Sequence, residues 1–350
     1  MSVSPCREAI VASLPSPGGA LGAVLPSAAN YGPEPQRSVP RASISSENQP
    51  VIGAPAGWKL PPSVASCLAG RLDERWETYR KELRNCQETF SENTVHDFRV
   101  ASRRLLAQLV MLSCIAPGET AEKARRQVKR GLRALSELRD FQVQRSFVEH
   151  QLTRYPELLL LRDYLRRQER RLEKAAAGSL RRFRARRLER GVASLEQALV
   201  TKQLQARCSA RLTTAVGEAF RDVVRRRQAI VPQQPETIHR TRVAFKKFRY
   251  MVESLSPEFT GLNKRQLRRL ADYQRRMGIL QDLEVMQRLL TVFVHEHPGI
   301  GPLLQRFARY LKQRRARALR SFLQAADQCY GFWPPTVARA GTALAARCAA

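Results

Sequence analysis

Two short segments of this sequence carry side chains suited to holding phosphate. His96, Arg99 and Arg103 are spaced i, i+3 and i+7, and His239, Arg242, Lys246 and Arg249 repeat the pattern. At about 100° per residue, a helix puts each set on one arc. Phe98, Ala101, Leu105, Leu109 and Leu112 fall on the opposite face of the first helix, and Ala244, Phe248, Val252 and Leu255 on that of the second. Each helix therefore pairs an apolar face with a basic stripe that faces away from it. An ordinary solvated face mixes Glu with Lys or Arg at i, i+4. These stripes are nearly all positive, and an anion seated among them would relieve the repulsion. Arg offers a planar fork for phosphate oxygens, and Lys a compact point charge. A lone His on a helix ordinarily serves as a hydrogen-bonding group. His96 and His239 occupy equivalent places, however, and a bound polyanion favours the charged imidazole.

Further basic residues extend the stripes. Counting back from Asp140 along what reads as one helix, Arg133 and Arg126 sit at i−7 and i−14, with Lys129 close by. Counting back from Asp282, Arg275 and Arg268 have the same spacing, with Lys264 near. A basic helix then follows in each half. Arg162–Arg190 holds twelve basic and four acidic residues, and Arg306–Arg320 holds seven basic and no acidic ones. In the second, Arg306, Arg309, Arg317 and Arg320 share a face; Arg167, Arg171 and Lys174 are their counterparts in the first.

Catalytic machinery is not legible. Asp140 and Asp282 each stand alone among arginines, which reads as a clamp orienting basic side chains rather than a metal site. His295-Glu-His297 is a weak ligand pattern in a Pro/Gly-flanked connection. The sequence has no Gly-x-x-x-x-Gly-Lys loop, His-Glu-x-x-His helix or Gly-x-Ser-x-Gly turn. Around the two histidines nothing resembles a nucleophile with a supporting base and metal. No catalytic residue, metal or cofactor is expected.

The elements that position these residues follow from composition. Lys and Arg number 61 against 31 Asp and Glu, a net charge of +30, so an acidic polymer is the expected partner. Residues 1–60 contain 9 of the 20 prolines and 6 of the 18 glycines and are nearly neutral, the signature of a disordered tail. The excess charge is carried by residues 61–350. From about Pro62, apolar residues recur at three- and four-residue spacing and no segment alternates as a strand would, so the fold class is all-α. Helix breaks are expected at Ser91–Thr94, Pro117–Gly118, Pro156, Pro232–Pro235, Pro257, Pro298–Gly301 and Pro334–Pro335. The seven cysteines have no Cys-x-x-Cys spacing, which supports neither a zinc knuckle nor a redox motif and fits a reducing interior. No apolar run nears the roughly 20 residues that span a bilayer, and prolines interrupt any signal-peptide pattern. A cytoplasmic location and no membrane partner are expected.

The chain also matches itself. Val95–Leu105 aligns with Ile238–Phe248 at an offset of 143, and Leu135–Val143 with Met277–Val285 at an offset of 142. Two matches in one order at nearly one offset point to an internal duplication. The His-x-x-Arg-Val-x-x-basic-basic motif at His96–Arg104 and His239–Lys247, with the later element at Leu138–Val143 and Leu280–Val285, resembles the CHAD family, named for conserved histidines in an α-helical domain.

The resemblance implies two four-helix bundles related by pseudo-two-fold symmetry around a basic central channel. It also implies binding of inorganic polyphosphate and association with polyphosphate granules. By motif position it assigns His96, Arg99, Arg103 and Arg104, and His239, Arg242, Lys246 and Lys247, to the ligand. The domain would span 61–330, with halves at about 62–200 and 203–330 and a tail at 331–350. Lys246 and Lys247 replace arginine and lose the fork, and Gln281 stands where the first half has Arg139. Many relatives carry an N-terminal triphosphate-tunnel (CYTH) domain; the first 60 residues are too short for one, so triphosphate hydrolysis is not expected. The rival readings are a nucleic-acid binder and an enzyme of polyphosphate metabolism. Aromatic residues make up only 7% and do not interleave with the stripes, which leaves nucleic acid a non-specific, salt-sensitive partner.

Overall fold

The computed structural model describes residues 64–181, 183, 185–199, 202–255 and 262–333. The tail at 1–60, the break at Pro257 and the prolines at 334–335 lie outside these residues. Among the described residues every regular element is helical, and no helix is long and apolar enough to cross a membrane.

The helices start where local chemistry supplies a start. Helix α1 (Val64–Glu88) buries Leu68, Leu72, Trp76, Tyr79 and Leu83, a three- and four-residue rhythm. Helix α2 (Glu92–Ile115) opens at Ser91, whose Oγ accepts from the Thr94 N–H at 3.2 Å. Helix α3 (Glu119–Ala134) begins after Pro117–Gly118, with Glu119 and Glu122 in its first turn favouring the positive helix end. Helix α4 (Ser136–Glu149) follows, then a 3-10 turn at Pro156–Leu158 leads into helix α5 (Leu159–Arg181). Helices α6 (Ala185–Leu199) and α7 (Lys202–Gln228) come next. Helix α8 (Pro235–Ser254) has proline in its first turn, where no N–H partner is needed. Helix α9 (Lys264–Glu296) opens on a capping box between Asn263 and Gln266, with bonds of 2.9 and 2.8 Å. Gly299, at φ +95°, turns the chain into helix α10 (Gly301–Ala325), and a 3-10 segment (Ala326–Phe332) ends the described part.

Two expected helices are broken instead. Arg162–Arg190 divides into α5, ending at Arg181, and α6, starting at Ala185. The stretch leading to Asp140 breaks at Leu135, so α3 and α4 are separate helices. The i−7 and i−14 count from Asp140 to Arg133 and Arg126 therefore does not describe one helix face. The equivalent count from Asp282 to Arg275 and Arg268 does, because α9 is continuous.

Packing follows the apolar faces. Helix α1 lies along α2, α7 along α8, α4 along α5 and α9 along α10. Phe98, Tyr79 and Trp76 stack in one part of the core, with Tyr79–Phe98 centroids 5.3 Å apart. Phe245, Phe248, Tyr273, Phe322 and Phe332 form another, to which Trp333 adds an edge contact with Phe248 at 5.9 Å. Each such ring, buried, contributes about 1.5–3 kcal/mol. Because Phe332 and Trp333 are buried, the folded part runs past 330. Side-chain hydrogen bonds to backbone carbonyls tie helices together. Gln108 Nε2 donates to the Leu68 carbonyl at 2.8 Å, and Arg211 Nη1 reaches the Ile115 carbonyl at the end of α2 at 2.7 Å.

Candidate polyanion-binding site

Four helices close a ring of contacts: α2 against α8, α8 against α9, α9 against α4, and α4 against α2. Gln144 Nε2 on α4 donates to the Asp282 carbonyl on α9 at 3.1 Å, which fixes one side of that ring. The basic stripes of α2 and α8 thus do not both face open solvent, as their apolar backs suggested. They face neighbouring helices, Arg99 the end of α3 and the start of α4, and Arg242 the backbone of α9.

The consequence is plainest at Arg99. It is 8% exposed, and its Nη1 donates to the Leu132 carbonyl at 3.0 Å and to Ser136 Oγ at 3.2 Å. Burial, then Arg103, lowers its proton affinity, with Arg242 contributing from across the ring and Asp140 opposing. A guanidinium remains charged at neutral pH regardless. Arg242 is lowered by burial too, with Asp282 opposing and Arg103 adding; its buried Nε has no hydrogen-bond partner. Lys246 is pushed well below the ordinary lysine range by burial and then by Arg103, Arg242 and Arg99. Its side chain still touches solvent, but protein surrounds it closely.

Two carboxylates share this space. Burial raises Asp140, against the pull of Arg99, Arg103 and Arg242. Asp282 is pushed up to about 6, by burial first and then by Asp140, with Arg242 opposing. Asp282 keeps contact with solvent. Among the described residues, neither carboxylate forms an ion pair within 4.0 Å. They moderate the cations without neutralising them.

The histidines sit at the edge of the same cluster. His239 Nδ1 lies 2.6 Å from Gln281 Oε1. Burial lowers its proton affinity, the Gln281 bond opposes this, and Arg242 and Lys246 lower it further. His96 is exposed and is lowered by its partial burial and then by Arg139, with Asp97 opposing. Arg139 itself is tied to Glu92 by an Nη1–Oε1 contact of 3.1 Å. The site thus uses Gln281 and Arg139 as neighbours of its two histidines, at positions matched in the internal alignment.

Gly278 has a role that spacing did not single out. A Cβ there would meet Arg242 Nη2 at 3.7 Å and Nε at 3.9 Å, so the Arg242 guanidinium lies against the bare α9 backbone. In the internal alignment Gly278 matches Ser136, the residue that Arg99 contacts. Gly278→Ala is expected to be tolerated and to gain up to about 1 kcal/mol of helix propensity. Gly278→Leu is expected to displace Arg242 and weaken polyanion binding about tenfold, roughly 1.4 kcal/mol. Melting curves and binding titrations of the two variants check this.

The remaining basic residues lie elsewhere. Arg104 and Lys247 are exposed, on the flanks of α2 and α8. Arg249 pairs with Glu253 at 2.7 Å and lies over the Tyr250 ring at 5.4 Å. Arg126, Lys129 and Arg133 are exposed on α3, and Arg268 and Arg275 on α9, where Arg275 pairs with Asp272 at 3.0 Å. Arg167 and Arg171 are exposed on α5 near Tyr164. Arg309 and Arg317 line a separate groove on α10. The His295–His297 segment closes α9, and no group of three or more potential metal ligands occurs among the described residues.

The CHAD domain family model matches residues 70–291, well over half of the sequence. The chain belongs to the CHAD family. A crystal structure of the CHAD domain from the plant Ricinus communis superposes with a TM-score of 0.58 at 21% identity, covering 75% of this chain and 91% of that one. At that identity the likeness concerns the fold, and it agrees with an all-helical CHAD domain. No curated protein sequence matches the chain.

Proposed function

We propose that this CHAD domain binds inorganic polyphosphate, without hydrolysing it, along the basic groups that α2 and α8 bring together. The observation that carries this reading is the cluster of Arg99, Arg103, Arg242 and Lys246, which outnumbers its two carboxylates and in which burial, then neighbouring cations, lowers the proton affinity of Arg99, Arg242 and Lys246. A fold that holds like charges together loses stability by it, and a polymer of evenly spaced anions returns that stability on binding. Arg242 supplies a fork with an unused donor, and Asp140 and Asp282 reduce the repulsion among the cations in the free site.

The finer architecture belongs to the same proposal. Arg99 contacts residue 136 and Arg242 lies over residue 278, while His96 neighbours 139 and His239 bonds 281. These paired relations support a duplicated domain, two four-helix bundles about a pseudo-two-fold axis with a basic channel between them. Against nucleic acid, the ring of Tyr250 near Arg242 is covered by Arg249 rather than open for base stacking. On this reading the protein associates with polyphosphate granules.

Titration with long-chain polyphosphate tests the proposal. Saturable binding that weakens with salt is expected. Incubation with Mg²⁺ or Mn²⁺ should leave the chain length unchanged. No binding would refute the proposal, and released phosphate or shortened chains would favour the enzyme reading.

A further inference from the structure

A second basic site lies away from the four-helix ring. A groove of about 500 Å³ is lined by Arg154 and Tyr155, from the α4–α5 connection, and by Arg306, Arg309, Tyr310 and Arg317 of α10. None of these residues comes from α2, α4, α8 or α9. The volume falls within the roughly 300–1,000 Å³ of small-ligand sites.

Its four guanidiniums have no ion pair among the described residues, although α10 does form one on another face, between Arg315 and Glu284. Two of them, Arg154 and Arg306, are also held in place. Arg154 lies 5.5 Å from the centroids of both Tyr155 and Tyr310, and Arg306 lies 5.2 Å from that of Tyr155. Tyr155 is 2% exposed and packs edge-on against Phe307 at 5.5 Å. The backbone that carries Arg154 is pinned by turn hydrogen bonds, Arg154 N–H to the Gln151 carbonyl at 3.0 Å and Tyr155 N–H to the same carbonyl at 2.9 Å. The tyrosines therefore act as platforms for guanidiniums. With their faces so used, they do not offer a slot for a nucleobase.

Four guanidinium forks converging without carboxylates, two of them fixed on tyrosine rings, suit an anion of several phosphate oxygens. We propose that this groove is a second phosphoanion site, taking a short run of linked phosphoryl groups independently of the α2–α8 cluster. The run could come from a free small phosphoanion or from the end of a longer chain, and the same chemistry recognises both.

Titration calorimetry of the full chain with inorganic triphosphate provides the test. Arg309→Glu with Arg317→Glu is expected to weaken triphosphate at least tenfold. The charge-matched control Arg130→Glu with Arg265→Glu should change it less than twofold, and any triphosphate held at the α2–α8 cluster should appear as a separate binding event that Arg103→Gln with Lys246→Gln removes. Equal loss in the control would overturn the proposal by showing a general charge effect. Unchanged affinity in the groove variant, or loss only in the cluster variant, would overturn it as well. Because the groove variant and the cluster variant remove different events, the groove can fail without the cluster failing, and the reverse. Long polyphosphate with both ends blocked separates the two sources. If its affinity no longer depends on Arg309 and Arg317, the groove takes chain ends; if triphosphate alone depends on them, it takes free small anions.

Discussion

Replacing Lys246 with Met is expected to raise the thermal stability of this protein while weakening its hold on polyphosphate. Lys246 is surrounded by protein and faces Arg103, Arg242, Arg99 and Arg249, all of which disfavour its charge. In the free protein this is a cost. Its folded-state proton affinity is depressed, so the charged form costs stability below the folded pKa. The cost diminishes as pH rises from there toward the unfolded value near 10.5. Substituting an apolar side chain of similar length removes the cost at neutral pH, and exchanges of this kind gain about 1–2 kcal/mol. The same change deletes a cation from the ligand's path. Adding Arg103→Met should lower polyphosphate affinity about a hundredfold, close to 2.7 kcal/mol. Opposite signs for stability and affinity, read by calorimetric melting and by titration, distinguish a binding site from a solvated face. A solvated face predicts small effects on both. Arg99 is unsuited to this test, because it is itself buried and bonds the Leu132 carbonyl and Ser136, so its loss changes packing as well as charge.

Acidification is expected to tighten polyphosphate binding. His96 and His239 have lowered proton affinities, so both are neutral at pH 7 in the free protein. Asp282, pushed up to about 6, is still ionised there. A bound polyanion favours the charged imidazoles and the neutral carboxyl, so all three groups take up protons on binding. Affinity therefore rises as pH falls from 8 to 5.5. Each one-unit rise that the ligand imposes on a histidine's pKa is worth about tenfold on full acidification. The stability of the free protein behaves differently. Histidines with depressed folded pKa values lose stability as pH falls through 6.5. Asp282, with a raised one, contributes stability that is fully present below pH 3.8 and lost as pH rises through about 6. Titrations across this range, repeated with His96→Gln and His239→Gln together, check the account. The variant should retain only the shallower rise due to Asp282, and an unchanged profile would exclude the histidines.

Much of this was legible in the sequence, for identifiable reasons. The apolar faces of α2 and α8 predicted their burial correctly because a helix reports one buried side through its period. Ser91, Gly118, Pro235 and Gly299 marked helix ends because their chemistry suits caps and turns. The break at Leu135 was not legible, since no proline, glycine or capping side chain marks it and its counterpart in α9 is unbroken. The inward direction of the stripes was also hidden. A periodic pattern cannot show that the polar face, too, meets another helix, as it does at Arg99. Gly278 escaped notice because its importance lies in what rests on it. The α10 groove joins residues about 150 positions apart in sequence, and only the fold brings Tyr155 beneath Arg306.

The central claim is that the facing α2 and α8 cations recognise a phosphate polymer rather than any acidic chain. The measurement that addresses it most directly is competition at moderate salt, with labelled long-chain polyphosphate on the protein and unlabelled single- or double-stranded DNA as competitor. Polyphosphate is expected to be retained against an excess of either DNA, and Arg103→Gln with Lys246→Gln to abolish this preference. Equal or tighter binding of DNA would contradict it.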